Sequence, residues 1–545
     1  MYGSFLFRPL RRVFGTLFMA FAVIALVQCA RRGTPTGGPK DVTPPKLIKA
    51  EPKDMTINFK EKKIRLYFDE YIKLKDVQKQ LIVSPPLKYT PIITPQGSPS
   101  KYVELTLKDT LKENTTYTLN FGQSIIDNNE GNPNSFLTYV FSTGTYIDSL
   151  MVAGAVKDAF KKSADSFISV MLYEMDSTYT DSTIYKRPPN YMTNTLDSAV
   201  VFRLKNLKAG KYAMFAIKDE GQNNMFDQKV DKIGFLNDTV TIPTDSTYLL
   251  TLFKEIPNYS VAVPSFTAMN KIIFGYSGNS DEIQITPMSG IPDSVRTMIR
   301  KEPNKDTLNF WFTPFDMDSA VFKVTNEKLK IIDTFTVKAR KVGIDSLQLA
   351  PNQSGTLSFS DPYYITSTTT PIVKIDSSKI SLFDKDTTAV NFTVNLDTLS
   401  NRMRISFKVE PNEKYNMELL PGAIEDFFGT QNDSLTTSLS TGSYADFGNL
   451  KLTVEGGIEF PVIAQLTDEK GELKREIQTG DKSEYEFNNL KPGKYVFRII
   501  FDSNGNGKWD TGNYLERKQP EKVTYFPDVI ELRANWEKNQ TFILK

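Results

Sequence analysis

The residues best spaced for chemistry lie near the C-terminus. In Asp502-Ser503-Asn504-Gly505-Asn506-Gly507-Lys508-Trp509-Asp510, oxygen-bearing side chains fall at relative positions 1, 3, 5 and 9. Calcium takes roughly six to eight hard oxygens around a tight loop. Asp502, Asn504, Asn506 and Asp510, with the Lys508 carbonyl, supply part of that set. Gly507 permits the sharp turn. Asn513 stands at position 12, where a calcium loop carries an acidic residue that binds through both oxygens. The ligand set is incomplete, and Asn-Gly and Asp-Ser are themselves turn formers. Two readings stay open: a weak calcium loop, or a solvated hairpin turn. A poorer copy starts at Asp219, with Gly221 at position 3.

Other chemistries are excluded or unsupported. The chain has 545 residues and no histidine, which removes His-based triads, His general bases and the usual zinc sites. Its one cysteine, Cys29, cannot form an intrachain disulfide. Lys+Arg number 66 against 64 for Asp+Glu, so no basic excess points to nucleic acid. Glycoside cleavage needs only paired carboxylates. Asp69-Glu70 and Glu425-Asp426 are adjacent, however, and strand neighbours point to opposite faces. They read as solvated charges at strand ends. No glycine-rich phosphate loop joins a strand to a helix. The aromatic content, 12% of residues, would suit glycan binding if a row of rings were exposed. No catalytic residue and no certain cofactor is assigned.

The N-terminus reads as an address. Arg8, Arg11 and Arg12 precede an uncharged apolar stretch from Val13 to Val27, the length of a signal-peptide core and short for a membrane span. Cys29 follows at once. The pattern resembles a bacterial lipoprotein signal, in which the cysteine is acylated and becomes the first residue of the mature chain. Gln28 departs from the small residue usual before it. Residues 29–43, rich in Gly, Pro and Thr, read as a tether.

The elements that would carry any site are strands. Ile64, Leu66 and Phe68 alternate with Lys63, Arg65 and Tyr67, and Val103, Leu105 and Leu107 with Glu104, Thr106 and Lys108. Leu137, Tyr139 and Phe141, and Met403, Ile405, Phe407 and Val409, repeat the pattern. Period two with frequent turn residues predicts antiparallel β-sandwiches. The chain also repeats itself. Asn114–Gly144 lies over Asn412–Gly442 at a constant offset of 298, bringing Tyr117 over Tyr415, Asp127 over Glu425 and Ser142-Thr143-Gly144 over Ser440-Thr441-Gly442. Leu207–Tyr212 lies over Leu490–Tyr495 at an offset of 283, continuing through Asp219 over Asp502 to Asp227 over Asp510. The expected class is all-β: tandem β-sandwich modules, internally duplicated.

Residues 44–148 resemble the bacterial Ig-like domain of surface-layer and secreted proteins. The matching features are the Pro44-Pro45 opening, Glu51-Pro52, Phe68-Asp69-Glu70 and the closing Tyr139-Val140-Phe141-Ser142-Thr143-Gly144. Residues 149–254 and 447–545 resemble transthyretin-like (prealbumin-like) sandwiches through Leu-Lys-x-Gly-Lys-Tyr. Residues 346–446 read as a second Ig-like domain, and 255–345 as a β-rich module matching no family. The whole is similar to Ig-like-domain lipoproteins of Bacteroidota. That resemblance implies a signal peptide over 1–28, lipidation at Cys29, and a place in the cell envelope at the outer membrane. It also implies a non-catalytic protein that presents sandwiches to an envelope protein or glycan partner, with no nucleic acid. A glycan-binding lipoprotein is the alternative, and a carboxylate-dependent hydrolase the last. Repeated Asp-Ser/Thr triplets, such as Asp109-Thr110-Leu111, Asp197-Ser198-Ala199 and Asp433-Ser434-Leu435, resemble the O-glycosylation acceptor of that lineage and also make Asx turns.

Overall fold

The computed structural model describes residues 41–135, 137–195, 200–278, 283–303 and 305–544. The signal segment 1–28, Cys29 and most of the tether lie outside the described residues, as does Asp197-Ser198-Ala199. Almost every described element is a strand. Among the described residues no helix is long and apolar enough to cross a membrane. The chain packs as two units. One comprises residues up to Leu81, Tyr89–Thr110 and Asn120–Tyr139, and the other Ile82–Lys88, Leu111–Leu119 and Val140–Lys545.

The first unit is built on one sheet, in the order Leu47–Glu51, Lys63–Leu74, Ser100–Thr106 and Ile92–Thr94, with Ile125–Asp127 paired to the far end of Lys63–Leu74. The period-two reading holds here. Ile64, Leu66, Phe68, Val103 and Leu105 are at most 1% exposed, while Lys63 and Arg65 between them face solvent.

The second unit holds the rest as a series of sandwiches. Leu150–Asp158 pairs antiparallel with Val201–Leu207 and parallel with Thr247–Leu252, opposite a sheet ordered Tyr191–Asn194, Ser169–Glu174, Gly210–Lys218, Lys232–Phe235. The last module repeats this strand for strand. Gly448–Glu455 lies between Glu484–Leu490 and Glu537–Ile543, opposite Leu473–Thr479, Val462–Thr467, Gly493–Phe501 and Val523–Tyr525. Each copy encloses its own apolar core. The middle module has a separate core around Phe274, Phe310 and Phe322, whose rings meet edge to face.

The repeat at offset 298 has a backbone cause. Tyr117 Oη accepts from the Lys112 N–H at 2.9 Å, and Tyr415 Oη from the Glu410 N–H at 2.8 Å. Thr143 Oγ1 donates to the Lys112 carbonyl and accepts from the Thr115 N–H. Thr441 Oγ1 makes the same two bonds with Glu410 and Glu413. Each tyrosine and threonine serves peptide groups where the chain leaves a strand. The partners use only their backbones, which is why lysine in one copy can be glutamate in the other.

Two expectations are corrected. Asp127 does not correspond to Glu425. Asp127 faces Ile72 across the strands and accepts the N–H groups of Asn129, Glu130, Gly131 and Asn132. In the second copy Asp426 faces Ile372 and accepts from Phe428 and Thr430. The strands there are displaced by one residue from the offset, which returns by Thr143 and Thr441. Nor is Asp426 a solvated charge: it is 1% exposed, because its loop closes over it. Asp69 is exposed, and it accepts from the Lys46 N–H.

Removing the corner hydroxyl by Tyr415→Phe strands a part-buried backbone donor, and should cost about 1–2 kcal/mol in urea unfolding. Glu410→Ala leaves the backbone bond in place and should shift stability by less than about 0.5 kcal/mol.

Candidate functional site

The loop from Asp502 to Asp510 leaves strand Gly493–Phe501 and is closed by its own side chains. Asp502, 3% exposed, accepts from the Asn506 N–H through Oδ1 and from the Gly507 N–H through Oδ2. Asn504 Oδ1 accepts from the Asn506 N–H, and Asn506 Oδ1 from the Lys508 N–H. The amides of Asn504 and Asn506 both donate to Asp510 Oδ2. Three of the sequence-predicted ligands thus converge on one point, while Asp502 is occupied by backbone donors. Among the described residues no group of three or more Asp, Glu, Cys or His has the geometry to hold a metal ion.

The sequence reading missed Glu521. Its Oε1 accepts from the N–H and hydroxyl of Ser503, and its Oε2 from the Asp510 N–H. It braces the loop from behind. In the first copy Asp219 accepts from Asn223 and Asn224, and Asp231 takes the brace, accepting from Glu220 and Asp227. Gln222 and Asn224 adopt positive φ of 52° and 58°, where the second copy places Gly505 and Gly507.

The two loops differ in length. Asp231 follows Asp219 by 12 residues and Glu521 follows Asp502 by 19, so the second copy carries seven more. The longer segment docks on the first copy. Tyr514 is fully buried, edge to face with Phe215 at 5.1 Å and Phe235 at 5.3 Å between ring centroids. Its hydroxyl lies 3.3 Å from that of Tyr179. Gly512 allows the approach, since a Cβ there would come within 2.6 Å of the Phe253 ring. Arg517 pairs with Asp181 and lies over the Tyr514 ring. The embrace is reciprocal. Phe160 of the first copy lies against Trp509, the ring centroids 4.8 Å apart and the planes tilted by 47°, and sits under the Arg498 guanidinium of the second. Lys162 donates to the carbonyls of Phe526 and Pro527. Beside the dock opens a groove of about 770 Å³ between residues 155–165 and 519–525. On its wall Asp158 and Asp165 are both bound by Lys232.

Glu255 is 3% exposed in the dock, accepting from the Tyr514 N–H and the Gln228 amide. Burial pushes its carboxyl above the ordinary value, the two donors oppose this, and Glu516 nearby adds to the rise.

A family model described as a bacterial Ig-like domain matches residues 41–143. No curated protein matches the chain. Among solved structures, the surface layer protein SbsC, domains 1–6, is 12% identical over 90% of this chain and 68% of that one, at a TM-score of 0.15. The Bacillus anthracis TIE protein is 12% identical over 93% and 75%, at 0.14. The four N-terminal Ig domains of Dscam1 isoform 7.44 are 10% identical over 72% and 100%, at 0.14.

Tyr514→Ala should lower stability by about 3–5 kcal/mol, the cost of emptying a buried aromatic site. Calorimetry should show the two duplicated sandwiches melting apart, where the parent melts them together. The pH dependence of the dock follows from Glu255. Its folded state holds the proton to higher pH than the unfolded chain does, so its stabilising contribution is complete below the ordinary carboxylate range and falls as pH rises through the raised value. Glu255→Gln should flatten the decline in melting temperature between mildly acidic and neutral pH.

Proposed function

We propose that this chain is a non-catalytic envelope lipoprotein that holds β-sandwich modules away from the membrane for protein binding or scaffolding. The observation that carries the reading is the dock. A segment present in one copy and absent from the other is spent on joining two sandwiches that lie far apart in sequence. The bacterial Ig-like match over 41–143 supports a place at the cell surface or envelope. The buried carboxylates Asp127, Asp426 and Asp502 each meet backbone N–H groups, a structural use of charge. Anchoring falls to Cys29, where two acyl chains hold a soluble body far more firmly than one. The Asp502 loop keeps its two readings, a weak calcium loop or a hairpin turn: a rise in melting temperature in millimolar calcium selects the first, and no shift selects the second.

Cys29→Ala should leave the protein soluble or as unprocessed precursor, with the parent in the envelope fraction. A processed variant that fractionates like the parent overturns the lipid anchor and leaves the scaffold to be held by other means.

A further inference from the structure

We propose that the outward face of the first Ig-like sheet binds an anionic polysaccharide. The proposal rests on the glycan-binding alternative and gives it a place and a ligand class.

The sheet's inner face is closed by Ile64, Leu66, Phe68, Val103 and Leu105. Alternation therefore turns Arg65, Tyr67, Tyr102 and Glu104 outward. Register sets Lys49 opposite Tyr67, Tyr67 opposite Tyr102, and Arg65 opposite Glu104. The Tyr67 and Tyr102 rings lie 5.8 Å apart, tilted by 44°. Tyr102 is 41% exposed, and Tyr71, further along the same strand as Tyr67, is 56% exposed. A cation accompanies each ring: Lys49 at 5.6 Å from Tyr67, Arg65 at 5.6 Å from Tyr102 and Lys101 at 5.4 Å from Tyr71. The Tyr67 hydroxyl donates to Glu51 at 2.9 Å, which holds the ring in place. Glu104 takes both Lys63 and Arg65.

Three tyrosines on a solvent face do nothing for the core behind them. Their rings offer flat apolar surface to the C–H face of a sugar. Lys49, Lys63, Arg65 and Lys101 outnumber Glu51, Glu104 and the exposed Asp69 by one, so the face leans toward an anion. The charge also selects among partners. Protein interfaces are depleted of Lys and Glu at their centres, whereas here both are interleaved with the rings. A nucleic acid brings a phosphate at every nucleotide against a surplus of one and meets three carboxylates besides. A sugar chain with acidic groups at intervals fits both the rings and the modest surplus.

The test is affinity electrophoresis of the full chain in detergent, through gels containing polygalacturonate, neutral dextran or oligo(dT). Retardation is expected in polygalacturonate at about 50 mM salt, where exposed charges are weakly screened. Tyr67→Ala with Tyr102→Ala should weaken it about tenfold at an unchanged melting temperature, since a lost stacking contact is worth about one decade. Tyr67→Phe keeps the ring and should bind as the parent does, which separates stacking from the hydroxyl bond to Glu51. Retardation that ignores the double tyrosine variant is bulk ion exchange and overturns the site. Equal retardation by dextran, lost in the same variant, overturns the anionic class and keeps glycan binding. Stronger retardation by oligo(dT), or none in any gel, overturns the proposal, and none in any gel removes the glycan alternative as well.

Discussion

A peptide N–H that leaves a strand ladder and is covered by a loop must find an acceptor, because an orphaned buried donor costs about as much as several surface contacts return. In this chain a handful of side chains meet that demand, and the rest of the architecture hangs on them. Tyr117 and Tyr415 serve one corner, Thr143 and Thr441 the next. Asp127 and Asp426 fill two loops, Asp219 and Asp502 two more. Asp127 shows the balance of forces. Burial alone would raise its carboxyl, yet backbone N–H groups from Asn129 to Asn132 hold it below the ordinary value.

The same constraint explains how the last module could gain residues without losing its fold. A brace must reach the back of the loop, but its position along the chain is free. Asp231 does this at short range in one copy, and Glu521, one carbon longer and seven residues later, in the other. The slack between loop and brace becomes a new surface element. Tyr514 fills an aromatic recess that the first copy lines with Phe215, Phe235 and Tyr179. Glu255 accepts the Tyr514 N–H that would otherwise be buried alone.

Alternation was legible because it depends only on which side chains tolerate water, and the strands of the first sheet follow it. The duplicated corners were legible for the same local reason. The pairing of Asp127 with Glu425 failed because a gain and a loss of one residue cancel over a short stretch, so the ends align while the middle is displaced. Glu521 was invisible because the match ended at Asp510, just before the extra residues. The calcium spacing around Asp502 is real, but Asp502 and the asparagines find partners inside the loop, and ligand spacing cannot tell an oxygen turned to a cation from one turned to an amide. The dock joins residues more than 250 positions apart, and nothing in local pattern marks Tyr514 as its centre.

A duplicated chain carries its own control. Residues kept in both copies, from Tyr117 and Tyr415 to Asp219 and Asp502, face the backbone and are explained by folding. Residues that differ are not needed for the sandwich and are where function has room to settle. Two differences are large. One is the extra segment around Tyr514, committed to an internal partner. The other is the outer face of the first Ig-like sheet, where Tyr67 and Tyr102 form a pair; the matching sheet of the second copy offers Tyr364 under Arg402, at 4.5 Å. The first difference is saturated by contacts within the chain. The second is open to solvent, with the Tyr67 ring held by Glu51 and the Tyr102 ring beside Arg65, so it is the difference that folding does not use up.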